Sequence, residues 1–236
     1  MTRPGLLRAL VALFALIMAT AAHAEDGYDL WLRYRPLATA EAAPYRAALG
    51  EVVADGRSPT LSIAADELRR GLGGMLGAPA PDAPPVILGT PVSSPRIAAL
   101  RLPLQAAGAE GYLIRSVTVD GRPATVVAAN SEAGVLYGAF HLLRLVQTRQ
   151  PLARLDIASA PKVKVRILNH WDNLDRTVER GYAGFSLWDW QKLPDWKDTR
   201  YVDYARANAS LGINGTVLNN VNAKADSLTA PYIEKA

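Results

Sequence analysis

The sequence has no cysteine among its 236 residues, which excludes disulfide bonds, thiolate nucleophiles and cysteine-ligated metals. A chain of this length without disulfides must be stabilised by a buried hydrophobic core. Histidine is also scarce. His23, His141 and His170 are too far apart in the sequence to indicate a histidine-rich zinc site. Acid–base chemistry would therefore depend mainly on carboxylates, and we predict neither a metal nor a cofactor.

The chain also lacks a strong charge of either sign, with 26 basic and 22 acidic residues and a net charge of +4. Arg3 and Arg8 lie in an acid-free amino-terminal segment, and without that segment 24 basic residues face 22 acidic ones. The remaining basic residues are dispersed among acids, whereas nucleic-acid binding proteins usually cluster them with aromatics. We therefore predict no nucleic-acid partner.

Residues 1–24 have the pattern of a secretory signal peptide. Two arginines precede an apolar run from Ala9 to Ala19, and Ala22–Ala24 is a small-x-small cleavage pattern. An uncleaved membrane anchor is the alternative, but the run is shorter than the roughly 20 residues of a spanning helix. No later segment is long and apolar enough to span. We expect a mature chain that starts near Glu25, lies in the periplasm or is secreted, and has no membrane association after cleavage.

Residues 25–150 alternate between strand and helix patterns and predict an α/β domain in which helices cover one face of a small mixed sheet. Asp120-Gly121 is a strong hairpin signal because both central residues of a tight primed turn need positive φ. The predicted elements are a strand from Tyr28 to Tyr34, a helix from Leu61 to Met75, a short strand in PPVILGTP, a short helix from Ser94 to Leu100, a hairpin around Asp120-Gly121 whose first strand has a break signal at Ser116, and a helix from Ser131.

Residues 151–236 begin a second pattern, with a strand from Lys164 to Leu168, a helix from Tyr201 to Leu211 and a strand from Thr216 to Asn220. Between the first strand and the helix, the segment NHWDNLDRTVERGYAGFSLWDW (Asn169 to Trp190) contains three of the five tryptophans. Indoles gathered among carboxylates are typical of a site that grips a ring-shaped polar ligand.

Three motifs, in this order, resemble bacterial α-glucuronidases of glycoside hydrolase family 67: GYDLWLRY (Gly27 to Tyr34), the tryptophan-rich segment, and LGINGTVLNNVNA (Leu211 to Ala223). The resemblance implies an α/β fold: an amino-terminal α/β sandwich domain at 25–150, then the first strands and helices of an incomplete (β/α)8 TIM barrel at 151–236. Active sites of such barrels lie at the carboxyl ends of the strands. Because residues 151–236 would supply only the first two of the eight strands, the chain is expected to be a truncated enzyme.

The resemblance also implies the activity: release, with inversion, of glucuronic or 4-O-methyl-glucuronic acid linked α-1,2 to xylo-oligosaccharides. Trp171 would pack against the uronic acid, Val221 would shape the sugar pocket, and Asn220 and Asn222 would be hydrogen-bonding neighbours. The catalytic acid and base come from later strands in that family, so we expect no catalytic residue in this chain and no activity from it alone. Loop carboxylates are more often caps or ion-pair partners, and this applies to Asp172, Asp175, Glu179 and Asp189.

Two other functions stay open. One is a noncatalytic carbohydrate-binding fragment, and the other is a different barrel glycosidase, such as a hexosaminidase, that shares only the first domain. Trp188, Trp190 and Trp196 are expected to fix the loop or face another subunit, and a homodimer of the full-length protein also stays open. Arg180 and Lys192 would attract an anionic sugar only if they are not simply solvated surface charges.

Overall fold

The computed structural model describes residues 25–236, so the predicted signal peptide at 1–24 lies outside the described residues. The chain divides into two compact units, one before Tyr34 and one comprising Tyr34–Ala236. Within residues 25–236, no helix has both the length and the apolar character needed to cross a bilayer. The elements that bear on function all belong to the second unit.

Turns replace the strand predicted from Tyr28 to Tyr34, so that prediction is wrong. The backbone N–H of Leu30 donates to the carbonyl of Gly27 at 3.1 Å, and Leu30 itself has a φ of 51°. Just upstream, the Asp26 carboxylate accepts from the N–H of Tyr28 at 2.9 Å. Local hydrogen bonds of this kind compete with strand pairing, so alternation of apolar residues does not produce a strand here.

A mixed sheet forms the centre of the second unit, as the sequence predicts, and it has five strands. The spatial order is β1-β2-β4-β3-β5, with β1, β2 and β4 parallel and β3 antiparallel to both β4 and β5. The strands are β1 (Val52–Ala54), β2 (Val86–Gly89), β3 (Tyr112–Val119), β4 (Arg122–Ala129) and β5 (Asp156–Ser159).

Helices cover both faces of this sheet, and the prediction of helices on one face is wrong. Val127 faces the helix that contains Gly138, because a Cβ at Gly138 would lie 2.5 Å from Val127 Cγ1. Its neighbour Val126 points the other way, into a buried cluster with Ile97 and Leu104. Strands that are buried on both faces carry continuous apolar runs. The sequence of such strands therefore shows no alternation of apolar and polar residues that would indicate helices on one face or on both. The helices are α1 (Thr39–Ala48), α2 (Pro59–Leu76), α3 (Pro95–Ala99), a 3-10 turn (Leu104–Ala107) and α4 (Glu132–Gln147).

The predicted hairpin is confirmed, since Asp120 and Gly121 connect β3 to β4 with φ values of 50° and 77°. The predicted break at Ser116 is wrong because β3 continues through it. The Ser116 hydroxyl accepts from the N–H of Leu155 at 3.0 Å, and the Ser116 N–H donates to the Leu155 carbonyl at 2.9 Å. Ser116 therefore extends the pairing of β3 toward β5.

Side-chain and glycine caps mark both ends of helix α2. The Ser58 hydroxyl accepts from the N–H of Leu61 at 3.2 Å at its start, and Gly77 ends it with a φ of 74°. Gly71 lies where α2 crosses α4. A Cβ there would come within 2.4 Å of Leu143 Cδ2, so only glycine permits this close approach.

A second sheet contains two parallel strands, β6 (Ile167–Asn169) and β7 (Gly215–Val217), joined through α5 (Thr199–Ser210). The predicted strand–helix–strand order is confirmed, although both strands are shorter than predicted from Lys164 to Leu168 and from Thr216 to Asn220. Before β6, the side chain of Asn214 accepts from the N–H of Arg166 at 2.9 Å and takes the place of a strand partner. After β7 the chain turns into the candidate site, ending with a 3-10 turn (Ala225–Leu228) and α6 (Ala230–Ile233).

Polar contacts attach α5 to the helices of the larger sheet. Arg206 donates two hydrogen bonds, of 2.9 and 2.8 Å, to the carboxylate of Glu67 on α2. Arg144 on α4 donates to the carbonyl of Ser210 at 2.8 Å. The domain boundary predicted between residues 150 and 151 falls inside this single compact unit and stays a prediction.

Candidate functional site

The segments that follow β6 and β7 meet at one edge of the small sheet. Because the two strands are parallel, their carboxyl ends lie side by side. The N–H of His170 donates to the carbonyl of Val217 at 2.9 Å, and the N–H of Asn220 donates to the carbonyl of Asp172 at 2.8 Å. These two bonds hold the Trp171 segment against the Val221 segment.

The tryptophan-rich loop folds into a small antiparallel ribbon of three segments. The middle segment pairs with the first one through the N–H of Asn173 to the Thr177 carbonyl and the N–H of Glu179 to the Trp171 carbonyl, both at 2.8 Å. It pairs with the third through a bridge between Thr177 and Phe185. The loop is therefore held by backbone hydrogen bonds to defined partners.

Residues that pair across this ribbon share a face. Trp171, Thr177 and Phe185 lie on one face, because opposite residues of an antiparallel pair, and alternate residues of an extended segment, point the same way. Asp172 lies on the other face. Phe185 is 84% exposed and Trp171 is 43% exposed, so the first face presents two accessible aromatic rings.

Asp172 holds the opposite face of the ribbon. It is buried and accepts from the Ser186 hydroxyl at 2.5 Å, while its other oxygen lies 3.7 Å from His170 Nδ1. Its carbonyl also receives the hydrogen bond from Asn220. These contacts assign Asp172 to loop structure, as expected for a loop carboxylate.

An aromatic cluster fastens the loop to α5. Trp188 packs edge-on against His170 and Tyr204, with ring centroids 5.8 and 5.4 Å apart, and tilted against Tyr201 at 5.0 Å. His170 Nε2 shares a hydrogen bond of 2.7 Å with the Tyr204 hydroxyl. The Tyr201 hydroxyl accepts from the N–H of Asp189 at 2.9 Å. Trp188 therefore fixes the loop.

Trp190, at the end of the segment, and Trp196, beyond it in the same loop, differ in exposure. Trp190 is buried, packs against Tyr232 at 6.2 Å between centroids, and accepts at its carbonyl from Lys235 Nζ at 2.7 Å. Trp196 is 47% exposed and lies under the Lys192 ammonium, 4.8 Å from its ring centre. Trp190 is thus part of the packing, and Trp196 is a surface residue.

The four residues predicted to contact the sugar lie together but are not equally accessible. Trp171 and Val221 are exposed, and Asn222 is exposed with its N–H donating to Asn220 Oδ1 at 2.9 Å. Asn220 is buried, and its Nδ2 donates to the Glu179 carbonyl at 3.3 Å. Asn220 therefore positions the loop backbone. Sugar contact by any of these residues stays a prediction.

The charged groups of the loop are mostly paired with one another. Asp189 is buried and lies 3.2 Å from Arg176 Nη1 and 3.5 Å from Lys192 Nζ, so Lys192 is not a free cation. The Thr177 hydroxyl and backbone N–H donate to Asp175 and hold the pKa of that carboxyl below its usual value. Within residues 25–236 no group of three or more potential metal-ligating side chains is found.

Glu179 is the exception among these carboxylates. Its Oε2 is buried without a hydrogen-bond partner among the described residues. The amino-acid sequence gives no sign of this unpaired oxygen, because the surroundings of Glu179 depend on the register that sets it opposite Trp171 in the ribbon.

Two family models match the chain. Residues 30–142 match the glycosyl hydrolase family 67 N-terminus, and residues 145–236 match the glycosyl hydrolase family 67 middle domain. Similar proteins include the alpha-glucuronidase A of Emericella nidulans, 33% identical over 92% of this chain, and the probable alpha-glucuronidase A of Aspergillus terreus, 31% identical over 95% of it. The chain spans 27% of the length of each of these relatives.

Among solved structures, that of a family GH115 4-O-methyl-α-glucuronidase with specificity for decorated arabinogalactans superposes with a TM-score of 0.49. It is 18% identical over 71% of this chain and 25% of that chain. A similarity at this level supports no functional conclusion.

Proposed function

The chain belongs to glycosyl hydrolase family 67, and from this premise we propose that it is the amino-terminal part of an α-glucuronidase. The complete enzyme would release glucuronic or 4-O-methyl-glucuronic acid from xylo-oligosaccharides with inversion. The relatives named alpha-glucuronidase support the activity. They are fungal, so the bacterial origin implied by the resemblance stays a prediction.

One observation carries this proposal: Trp171 is exposed at the carboxyl end of β6, beside the exposed Val221 that follows β7. An indole in this position offers a flat apolar surface to a sugar ring. A neighbouring aliphatic side chain limits the space at its edge. In this proposal Trp171 packs against the uronic acid and Val221 shapes the pocket, with Asn222 accessible for a hydrogen bond.

The proposed reaction also requires two free carboxyl groups, whereas among the four carboxylates of the tryptophan-rich segment only Glu179 has an unpaired buried oxygen. Inversion needs an acid and a base held about 6.5 to 9.5 Å apart, with a water between the base and the sugar. Asp172, Asp175 and Asp189 are all committed to hydrogen bonds or ion pairs within the loop. We therefore propose that the acid and base come from sequence outside residues 25–236, and that this chain alone is inactive.

The proposed fold of the complete enzyme places β6 and β7 as the first two strands of a (β/α)8 barrel that starts after residue 150. Their apolar side chains support this, since Ile167 is 47%, Leu168 39% and Val217 39% exposed. A closed barrel would bury such residues under further strands and helices. Residues 1–24 would direct export, so mass spectrometry of the mature protein should find its first residue near Glu25.

The test uses the protein encoded by the complete reading frame, incubated with an aldouronic acid. Release of free glucuronic acid is expected, and proton NMR at early times should show the β-anomer first, because the substrate linkage is α and the reaction inverts. No release of uronic acid would refute the proposed function. Cleavage of an N-acetylhexosaminide instead would indicate a hexosaminidase, and binding without cleavage a carbohydrate-binding protein.

Replacing Trp171 with alanine tests the residue that carries the proposal. Burying an aromatic side chain contributes about 1.5–3 kcal/mol, so kcat/KM should fall about tenfold or more. Trp196→Ala is the matched control, because Trp196 has similar exposure in the same loop. Equal losses of turnover in the two variants, or a loss of W171A turnover explained by unfolding, would reject the contact.

A further inference from the structure

Glu179 combines two features that oppose the stability of the fold. Its Oε2 is buried without a partner among the described residues, and its Oε1 comes no closer to a cation than 4.0 Å, at Arg180 Nε. The Glu179 side chain is only 13% exposed, whereas that of Arg180 is 84% exposed. Burying a carboxylate oxygen without a donor costs free energy that a surface position would avoid.

The backbone of Glu179 is also in an unfavourable conformation. Its φ of 57° lies in the left-handed region, which residues with a Cβ rarely adopt. The conformation is imposed by its neighbours: the Glu179 N–H donates to the Trp171 carbonyl, and its own carbonyl accepts from Asn173 Nδ2 at 2.8 Å and Asn220 Nδ2 at 3.3 Å. Strained residues held this firmly by their surroundings cluster at ligand sites.

The position of Glu179 specifies what it can meet. Its backbone N–H donates to the Trp171 carbonyl at 2.8 Å, and Asn220 connects it to the segment that carries Val221. Glu179 therefore borders the surface on which the proposed uronic acid would pack. An ionised carboxylate only accepts hydrogen bonds, and the donors on a sugar are its hydroxyl groups.

We propose that Glu179 accepts a hydrogen bond from a hydroxyl of the uronic acid packed on Trp171, on the side of the ring away from the sugar's carboxylate. Two carboxylates placed side by side repel each other, so Glu179 also disfavours the reversed orientation. Glu179 is in this way a binding and specificity residue. The inference rests on the proposed function, and it adds a residue and an orientation to it.

The experiment compares Glu179→Gln and Glu179→Asn with the wild type in the complete gene product. A hydrogen bond to a charged group is strong, so KM for an aldouronic acid should rise about tenfold, with a similar weakening of inhibition by free glucuronic acid. Asp195→Asn is the matched control, since it removes a negative charge from an exposed position in the same loop between β6 and α5. Its KM should not change.

Measurements of Tm separate a binding role of Glu179 from a purely structural one. Asparagine tolerates positive φ better than glutamate, and either variant removes the unpaired buried carboxylate, so Tm should stay the same or rise. A fall in Tm with KM unchanged would overturn the inference, because it would mean that a cation elsewhere in the protein pairs with Glu179. An inactive wild type refutes the proposed function, whereas an active wild type with unchanged KM in E179Q refutes this inference alone.

Discussion

Removing the guanidinium of Arg206 tests the contact that joins α5 to the larger sheet. Glu67 is 4% exposed and receives two hydrogen bonds from Arg206 and one of 2.6 Å from the Tyr34 hydroxyl. Breaking a buried ion pair by removing one partner leaves the other charge uncompensated and costs about 3–5 kcal/mol. We expect Arg206→Met to destabilise the folded chain by an amount in this range near pH 7.

The destabilisation caused by Arg206→Met should depend on pH, and the structure predicts in which direction. Burial alone would raise the pKa of Glu67, but the hydrogen bonds from Arg206 and Tyr34 hold it below its usual value. A group whose pKa is lowered by folding stabilises the protein above its unfolded pKa, about 4.3 for glutamate, and this contribution disappears as pH falls through the folded pKa. In R206M the burial remains without the cation, so Glu67 takes up a proton at higher pH. The difference between R206M and wild type should therefore shrink from pH 7 toward pH 4.

Thermal unfolding followed by circular dichroism is the assay. For a chain of this size the expected loss corresponds to a fall in Tm of about 10 °C at pH 7. The double variant E67M/R206M should recover much of it, since no charge is then left buried. Arg200→Met on the same helix removes an exposed ion pair with Asp198 and should change Tm far less. A change in R206M no larger than in R200M, or one independent of pH, would refute this account.

Two further substitutions test the packing. Gly71→Ala should lower the free energy of unfolding by about 1–3 kcal/mol, because its Cβ would clash with Leu143. Gly73→Ala is the control: the space around Gly73 is open, so this variant should be more stable by up to about 1 kcal/mol. Equal shifts in Tm for the two variants would contradict the close crossing of α2 and α4. Asp172→Asn replaces the charged acceptor of the Ser186 hydroxyl with a neutral one, and should lower the free energy of unfolding by about 1.5–3 kcal/mol. The near-ultraviolet circular dichroism of the tryptophans should also decrease. An unchanged spectrum would show that Asp172 does not hold the loop.

Much of the fold follows from residues that are close together in the sequence. The hairpin at Asp120-Gly121 and the helix α2 between Ser58 and Gly77 are specified by turn and cap chemistry, which acts over a few residues. Where an element depends on a distant partner, sequence patterns were weaker guides. The three-residue β1 and the partly exposed β5 were not predicted, because each is a strand only through its neighbour in the sheet.

The candidate site shows the same division. The sequence by itself determined that Trp171 follows one strand and Val221 the next, and parallel strands then bring their carboxyl ends together. Only the tertiary structure decided that Asn220 is buried, that Trp188 fastens the loop to α5, and that Glu179 lies opposite Trp171 with a carboxylate oxygen unpaired. These outcomes depend on the register of a ribbon and on packing between distant segments, and neither is written in the order of neighbouring residues.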